Sequence, residues 1–321
     1  SRICSVPTSK EPAMVIALDF NPRLAIAKLS LALCLVGFIA SPVHADEPLP
    51  DYVIEQFGQP PEVPDTPLSP AMEFALRVTF VDSVSLGVWD ENQDLALAEI
   101  AKSKDPRLAW IISDLMRFVP SQRLNEALTN AASDLLGKEF RFENSWGTVT
   151  DHLIAWDIPE PPGYLRYKGA IFTSIVPGWE KIFVEGDIDW RLVSWGGVLI
   201  DDRAYDTTDD ACNCIPAADN PEVSSAQDAT WLQDDDVVFG IEVNGEYRAY
   251  PRRIMEVREM VNDTLGARDL RIPYSTLCGA AQAYFTDQLA AGVERPVLRT
   301  SGLLIRSNKV MYDITSMSVF D

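Results

Sequence analysis

Apolar residues recur at spacings of three, four and seven through two stretches, Leu108, Ile111, Ile112, Leu115 and Met116, then Leu124, Leu128, Ala131, Leu135 and Leu136. That period puts one buried stripe on each of two amphipathic helices. Asp105-Pro106 offers a cap and a pre-set first turn to the first helix, Pro120-Ser121 does the same for the second, and Gly137 closes it. An earlier pair, over residues 72–86 and 93–102, completes a set of short helices joined by tight turns.

Beyond residue 200 the period shortens to two. In "VVFGIEVNGEYRAYP" two β-rich runs flank Asn244-Gly245, a strong two-residue hairpin signal. "RRIMEVREMVNDTLG" reads as an amphipathic helix that stops at Gly266, followed by short strands over 270–274, 282–285 and 297–300. A turn at Ser307-Asn308 then leads into the strand "KVMYDI". The fold class this predicts is α+β: an all-helical N-terminal scaffold followed by a mostly antiparallel sheet domain.

The flanking segments divide the 321 residues further. Arg23 and Lys28 precede an apolar run from Leu29 to Ala40, and Val43-His44-Ala45 has the small-x-small form of a cleavage site, so residues 1–45 read as an export signal. The expected location is the periplasm or the exterior. That run is shorter than the ~20 residues a membrane-spanning helix needs. Residues 46–70 are rich in proline and acid and read as a tether. The helical scaffold covers 71–140, an aromatic and proline-rich connector 141–200, and the sheet domain 201–321. Trp179, Trp190 and Trp195 of the connector read as packing residues that seat the helices on the sheet.

Charge narrows the partners. The formal charge is −21, and residues 201–236 carry eleven Asp or Glu against Arg203 alone. Such a field repels nucleic acid and anionic lipid heads. Histidine narrows the chemistry, because His44 falls in the export segment and only His152 lies outside it. A two-histidine metal site is therefore closed, and His152 reads as structural. Downstream of the export segment the cysteines are Cys212, Cys214 and Cys278. A Cys-x-Cys pair rarely closes on itself, so the expected bridge is Cys214–Cys278, with Cys212 as the alternative partner. It would close a loop of about 64 residues and contribute about 4 kcal/mol. A three-thiolate soft-metal site and a nucleophilic Cys278 stay open as alternatives. Asp201, Asp202 and Asp206, with Asp209 and Asp210, are candidate calcium ligands, though their spacing fits no EF-hand loop.

Several tracts occur in an order that resembles one bacterial family: "IPAADNP", "WLQDDDVVFGIEVNGEYRAYP", "MVNDTLG", "PYSTLCG" and "SGLLIRSNKVMYD". From Ile215 onward the chain is similar to the domain-of-unknown-function family numbered 3179, and "AEIAKSKDPRLAWIISDLMRF" before it resembles a HEAT or armadillo unit, with a small bundle as the other account. The resemblance implies Tyr-Cys-Pro-Leu-Cys-Gly where this chain has Tyr274-Ser275-Thr276-Leu277-Cys278-Gly279, and Trp-His-Glu where it has Val257-Arg258-Glu259. It also implies that "TSMSVFD" stands where family members continue. Both substitutions remove a metal or redox ligand, since serine cannot pair with Cys278 and arginine stays protonated.

The resulting expectation is a binding or assembly module, capturing a protein partner or small ligand, with no cofactor required. The alternative is a metal- or thiol-dependent enzyme centred on Cys278, with Glu259, Asn262 and Asp263 as its nearest polar groups. Tyr250, Arg253, Arg258, Ser301 and Asn308 are the candidate ligand-binding side chains.

Overall fold

Helix starts fall where hydrogen-bonding side chains meet orphan backbone donors. In the computed structural model, which describes residues 2–5 and 48–321 apart from 83, 85, 86, 88, 208, 210 and 291, Ser69 caps α2 (Pro70–Arg77). Asp90 and Gln93 form a capping box on α3 (Glu91–Lys102), and Ser121 caps α5 (Gln122–Leu136), which Gly137 ends in a left-handed conformation. Asp105 caps a 3₁₀ turn, Pro106–Leu108, that runs into α4 (Ala109–Met116). The export segment, apart from a strand at Arg2–Ser5, lies outside the described residues, as does Asp210.

Every residue of α4 is buried, because α5, α6 (Ser145–Ala155) and α7 (Tyr164–Ile175) all pack on it. A helix buried on all sides is the centre of a small bundle. Stacked helical pairs would leave one face open.

Two expectations are corrected here. The tether is ordered in part: α1 (Asp51–Phe57) buries Val53, Trp156 donates to Gly58 O (3.0 Å), and Arg107 donates to Thr66 O (2.9 Å). Proline and acid set its composition, but its backbone carbonyls are taken up by side chains of the bundle. The connector also contains α6 and α7, whose aromatic-rich sequences hide the helical period.

Among the described residues, three small sheets follow. The first has the order β4 (Glu222–Ser225), β1 (Arg2–Ser5), β6 (Glu246–Pro251), β5 (Val238–Val243). The second runs β10 (Tyr284–Phe285), β8 (Arg268–Ser275), β7 (Met260–Leu265), β3 (Ala218–Asp219), with β9 (Ala280–Ala281) also on β8. The third runs β13 (Val319–Phe320), β12 (Asn308–Asp313), β11 (Leu298–Ile305), β2 (Val193–Trp195). Most pairings are antiparallel; β1–β4 and β3–β7 are parallel. The architecture is α+β, helices first and antiparallel-rich sheets after.

The β5–β6 hairpin turns at Asn244 and Gly245, both at positive φ, as a tight two-residue turn requires. The helix expected to reach Gly266 instead stops at Arg258 (α8, Arg252–Arg258), and "MVNDTL" becomes β7. Glu259 takes φ 52°, which breaks the helix, and β7 gains a complete ladder with β8.

One apolar core runs from the helices into Leu303, Val310 and Tyr312 of the third sheet, and a second lies around Tyr250, Val261, Ile272 and Tyr274. The tryptophans join helices to sheet as expected: Trp179 Nε1 donates to Ser301 O (2.7 Å), and Trp195 stacks on Phe118. Fully buried Lys168 adds a polar joint, donating to Asp114 Oδ1 (2.6 Å) and to Val193 O (2.7 Å) of β2. Burial pushes the Asp114 carboxyl up and the Lys168 amine down.

Candidate functional site

Beside β11, where the chain has just left β2, residues of several strands line a cavity. The β11–β12 register shifts between Thr300 and Leu304, and Gly302 sits in the shift at φ 77°. A Cβ there would lie 2.3 Å from Val198 O, so no other residue fits. The space opened is about 230 Å³, with apolar walls from Val198, Ile215, Leu303, Leu304 and Val310.

Its polar end is built by Glu259, Ser275, Thr276 and Lys309. Lys309, on β12, forms an ion pair with Glu259 Oε2, and Thr276 Oγ1 donates to Glu259 Oε1 (2.5 Å). Both partners are largely removed from water, with side chains 7% and 15% exposed. Burial holds the Lys309 amine below its usual value, against the raising effect of Glu259. An ammonium carries three N–H donors, and among the described residues Glu259 takes one.

A second pocket of about 200 Å³ shares Ser275 and Lys309 with the first and adds Cys278, Gln282, Tyr284 and Asn308. The two openings therefore meet at the Ser275–Lys309 wall. Cys278 is an exposed free thiol, 3.6 Å from Ser307 O.

The cysteine pairing differs from the expected one. Cys212 bonds Cys214, with Cα atoms 5.1 Å apart, inside the range a disulfide needs, and Cys278 is left out. A pair of bends at Cys212 and Asn213 and a bridge from Leu199 to Cys214 turn the chain tightly enough for this. Closing so short a loop contributes about 1–2 kcal/mol, against about 4 for the longer loop.

Of the sequence-selected residues, the structure gathers Glu259, Asn308 and Cys278 around the Lys309 wall. The others do different work. Buried Asn262 clamps β7 to β11: Nδ2 donates to Leu298 O (3.0 Å) and to Asp219 Oδ1 (2.8 Å), and Oδ1 accepts from Leu298 N (3.0 Å). Asp263 accepts from Arg248 and from the Tyr250 hydroxyl (2.8 Å), which fixes β6 on β7; burial raises Tyr250 far above its ordinary value. Buried Ser301 donates to Val310 O (2.5 Å). Arg253 lies over the Trp231 ring, and Arg258 ends α8 half-buried.

The calcium candidates do not converge. Asp201 is fully buried and forked by Arg203 (2.6 and 2.9 Å), whereas Asp202 and Asp206 are exposed. Asp201 does lie with Cys212 and Cys214, all ligand atoms within 4.8 Å, but the sulfurs are spent on each other. His152 is structural: Nδ1 donates to Thr148 O (2.7 Å) and the ring sits edge-on among Phe57, Phe140 and Trp156. Lys309 and Ser275 are the site residues the pattern missed. A lysine followed by three apolar or aromatic residues within a strand, "NKVMY", is the one signal for the first.

An antiparallel-rich domain with a small, partly polar cavity is thus the class of structure that carries the site. Residues 212–321, the C-terminal part of the chain, match the family model DUF3179, described as a protein of unknown function. This agrees with the family resemblance of the conserved-order tracts around Cys278 and Asn308. No curated protein and no solved structure gives a significant match. Among the described residues, no helix is long and apolar enough to cross a membrane.

Proposed function

We propose that the C-terminal domain is a ligand-binding module of an exported protein, taking a small molecule with an apolar body and an anionic head. The observation that carries this reading is the Lys309 ammonium, with donors to spare, at the polar end of a cavity whose other walls are largely apolar. At about 230 Å³ the space suits a ligand smaller than the occupants of drug-sized pockets of about 300–1,000 Å³. Ser275 adds a hydroxyl at the same end, so the head group meets Lys309 and Ser275 beside the Glu259 carboxylate that Thr276 already engages, while its body displaces water from leucine and valine.

Pentanoate and benzoate are suitable probes, titrated by calorimetry against the full chain. The expected result is saturable binding that Lys309→Met weakens at least about tenfold and Leu304→Trp, which fills the cavity, abolishes. Binding unchanged in both variants would place these probes elsewhere and remove the reading. The export expectation is tested by fractionating cells that make the full chain.

A second reading, covalent chemistry on Cys278, is supported by the pocket it shares with Lys309 and Asn308. Iodoacetamide should then label Cys278 faster than it labels glutathione, and Lys309→Met should cancel that advantage.

A further inference from the structure

The Cys212–Cys214 disulfide lies outside the cavity argument and outside any role as a fold clamp. Its loop spans a sequence separation of two, and the chain around it is tied down by other bonds. Leu199 N donates to Asn213 O (3.1 Å), Thr300 Oγ1 donates to Ile215 O (2.8 Å), and Ala217 N donates to Asp201 Oδ2 (2.8 Å). Opening the sulfur bond therefore leaves this segment in place. Both cysteines are half-buried, and Ala211 and Asn213 beside them are exposed.

We propose that Cys212–Cys214 is a dithiol–disulfide exchange site whose substrate is a neutral or basic peptide dithiol. A substrate thiolate attacks the Cys212 sulfur, forming a mixed disulfide and breaking the Cys212–Cys214 bond. The bonding pair leaves on Cys214, which takes a proton from water. The substrate's second thiolate then attacks its own sulfur in the mixed disulfide and releases Cys212 as a thiol. The substrate is oxidised by two electrons to its disulfide and the pair is reduced to two thiols. The attack is assigned to Cys212, whose neighbours Ala211 and Asn213 are both exposed, whereas Cys214 is bridged to Leu199 and followed by half-buried Ile215.

Charge selects the substrate. The Asp201 carboxylate lies within 4.8 Å of both sulfurs, Asp209 Oδ1 accepts from Ala211 N (2.9 Å) beside Cys212, and Asp202 and Asp206 are exposed earlier in the same tract. Arg203 offsets Asp201 by gripping it, but Asp202, Asp206 and Asp209 are exposed to solvent. An anionic thiol such as glutathione is repelled, while a lysine-bearing dithiol is drawn in.

The test uses the full chain carrying Cys4→Ser, Cys34→Ser and Cys278→Ser, so that only this pair reports. Two peptides with identical Cys-x-x-Cys cores, one flanked by lysines and one by glutamates, are mixed with it at low salt, and new protein thiols are counted by alkylation and mass. The expected result is two thiols per chain with unchanged tryptophan fluorescence, formed about tenfold faster with the lysine peptide, and a difference that shrinks in 0.5 M salt. A Cys214→Ser variant mixed with the same lysine peptide in its disulfide form should attack that disulfide through Cys212 and carry the peptide as a mixed disulfide, the displaced peptide sulfur leaving as a thiol. Thiols that form only in unfolding concentrations of urea would overturn the exchange site. Equal rates for both peptides would overturn the substrate class.

Discussion

Replacing Lys309 with methionine tests the buried pair directly. The Glu259 carboxylate would remain in a cavity wall with its cation gone, still accepting from the Thr276 hydroxyl at 2.5 Å. Breaking a buried ion pair from one side costs about 3–5 kcal/mol, and the 15% exposure of Glu259 beside an open cavity puts this case near the lower end, about 3 kcal/mol. Urea unfolding followed by tryptophan fluorescence reads the change as a shift in midpoint at constant slope. Removing both charges, in Lys309→Met with Glu259→Gln, should return stability to within about 1 kcal/mol of the parent, because the desolvation cost disappears with the attraction. The pH dependence supplies a second readout. Burial holds Lys309 below its ordinary 10.5, so as pH falls from that value the unfolded chain takes the proton first. The parent therefore loses stability with falling pH until the folded value is reached, and Lys309→Met lacks that slope. A single variant that costs under about 1 kcal/mol, or a double variant no better than the single, would refute the reasoning.

Three further outcomes follow from the same structure. His152 is held below its ordinary 6.5 by burial, so the unfolded state is protonated first and stability falls as pH drops below 6.5; His152→Phe should flatten that part of the curve in pH-dependent urea melts. Gly302→Ala, at φ 77° with its Cβ 2.3 Å from Val198 O, should cost about 2 kcal/mol or more and lower the melting temperature by several degrees. Asn262→Ala removes three bonds between β7, β3 and β11 and should cost about 2–3 kcal/mol by the same unfolding assay, marking it as a clamp rather than a catalytic group.

Local signals were legible wherever local bonds decide the outcome. Ser121, Asp105 and Gly137 mark helix ends because a cap needs only its own neighbours, and Asn244-Gly245 marks a hairpin because few other pairs accept that turn. Long-range bonding decided what was missed. "EVREMVNDTLG" carries apolar residues at both helical and strand spacings, and pairing with β8 selects the strand. The 46–70 segment reads as disordered on composition, yet Arg107, Lys138 and Trp156, far along the chain, hold its carbonyls. At the site, Glu259 and Cys278 were visible as polar residues in family-like tracts. Lys309 was not, since its partner lies 50 residues upstream and only the folded sheets bring them together.

The shared core has a practical corollary for anyone cutting this chain at the start of the family match. A fragment of residues 212–321 lacks β2, the edge partner of β11, and lacks Trp179, whose indole caps Ser301. Leu303, Val310 and Tyr312 would then face water instead of helices. The homology boundary and the folding boundary do not coincide here, and a soluble fragment has to begin upstream of the tryptophans.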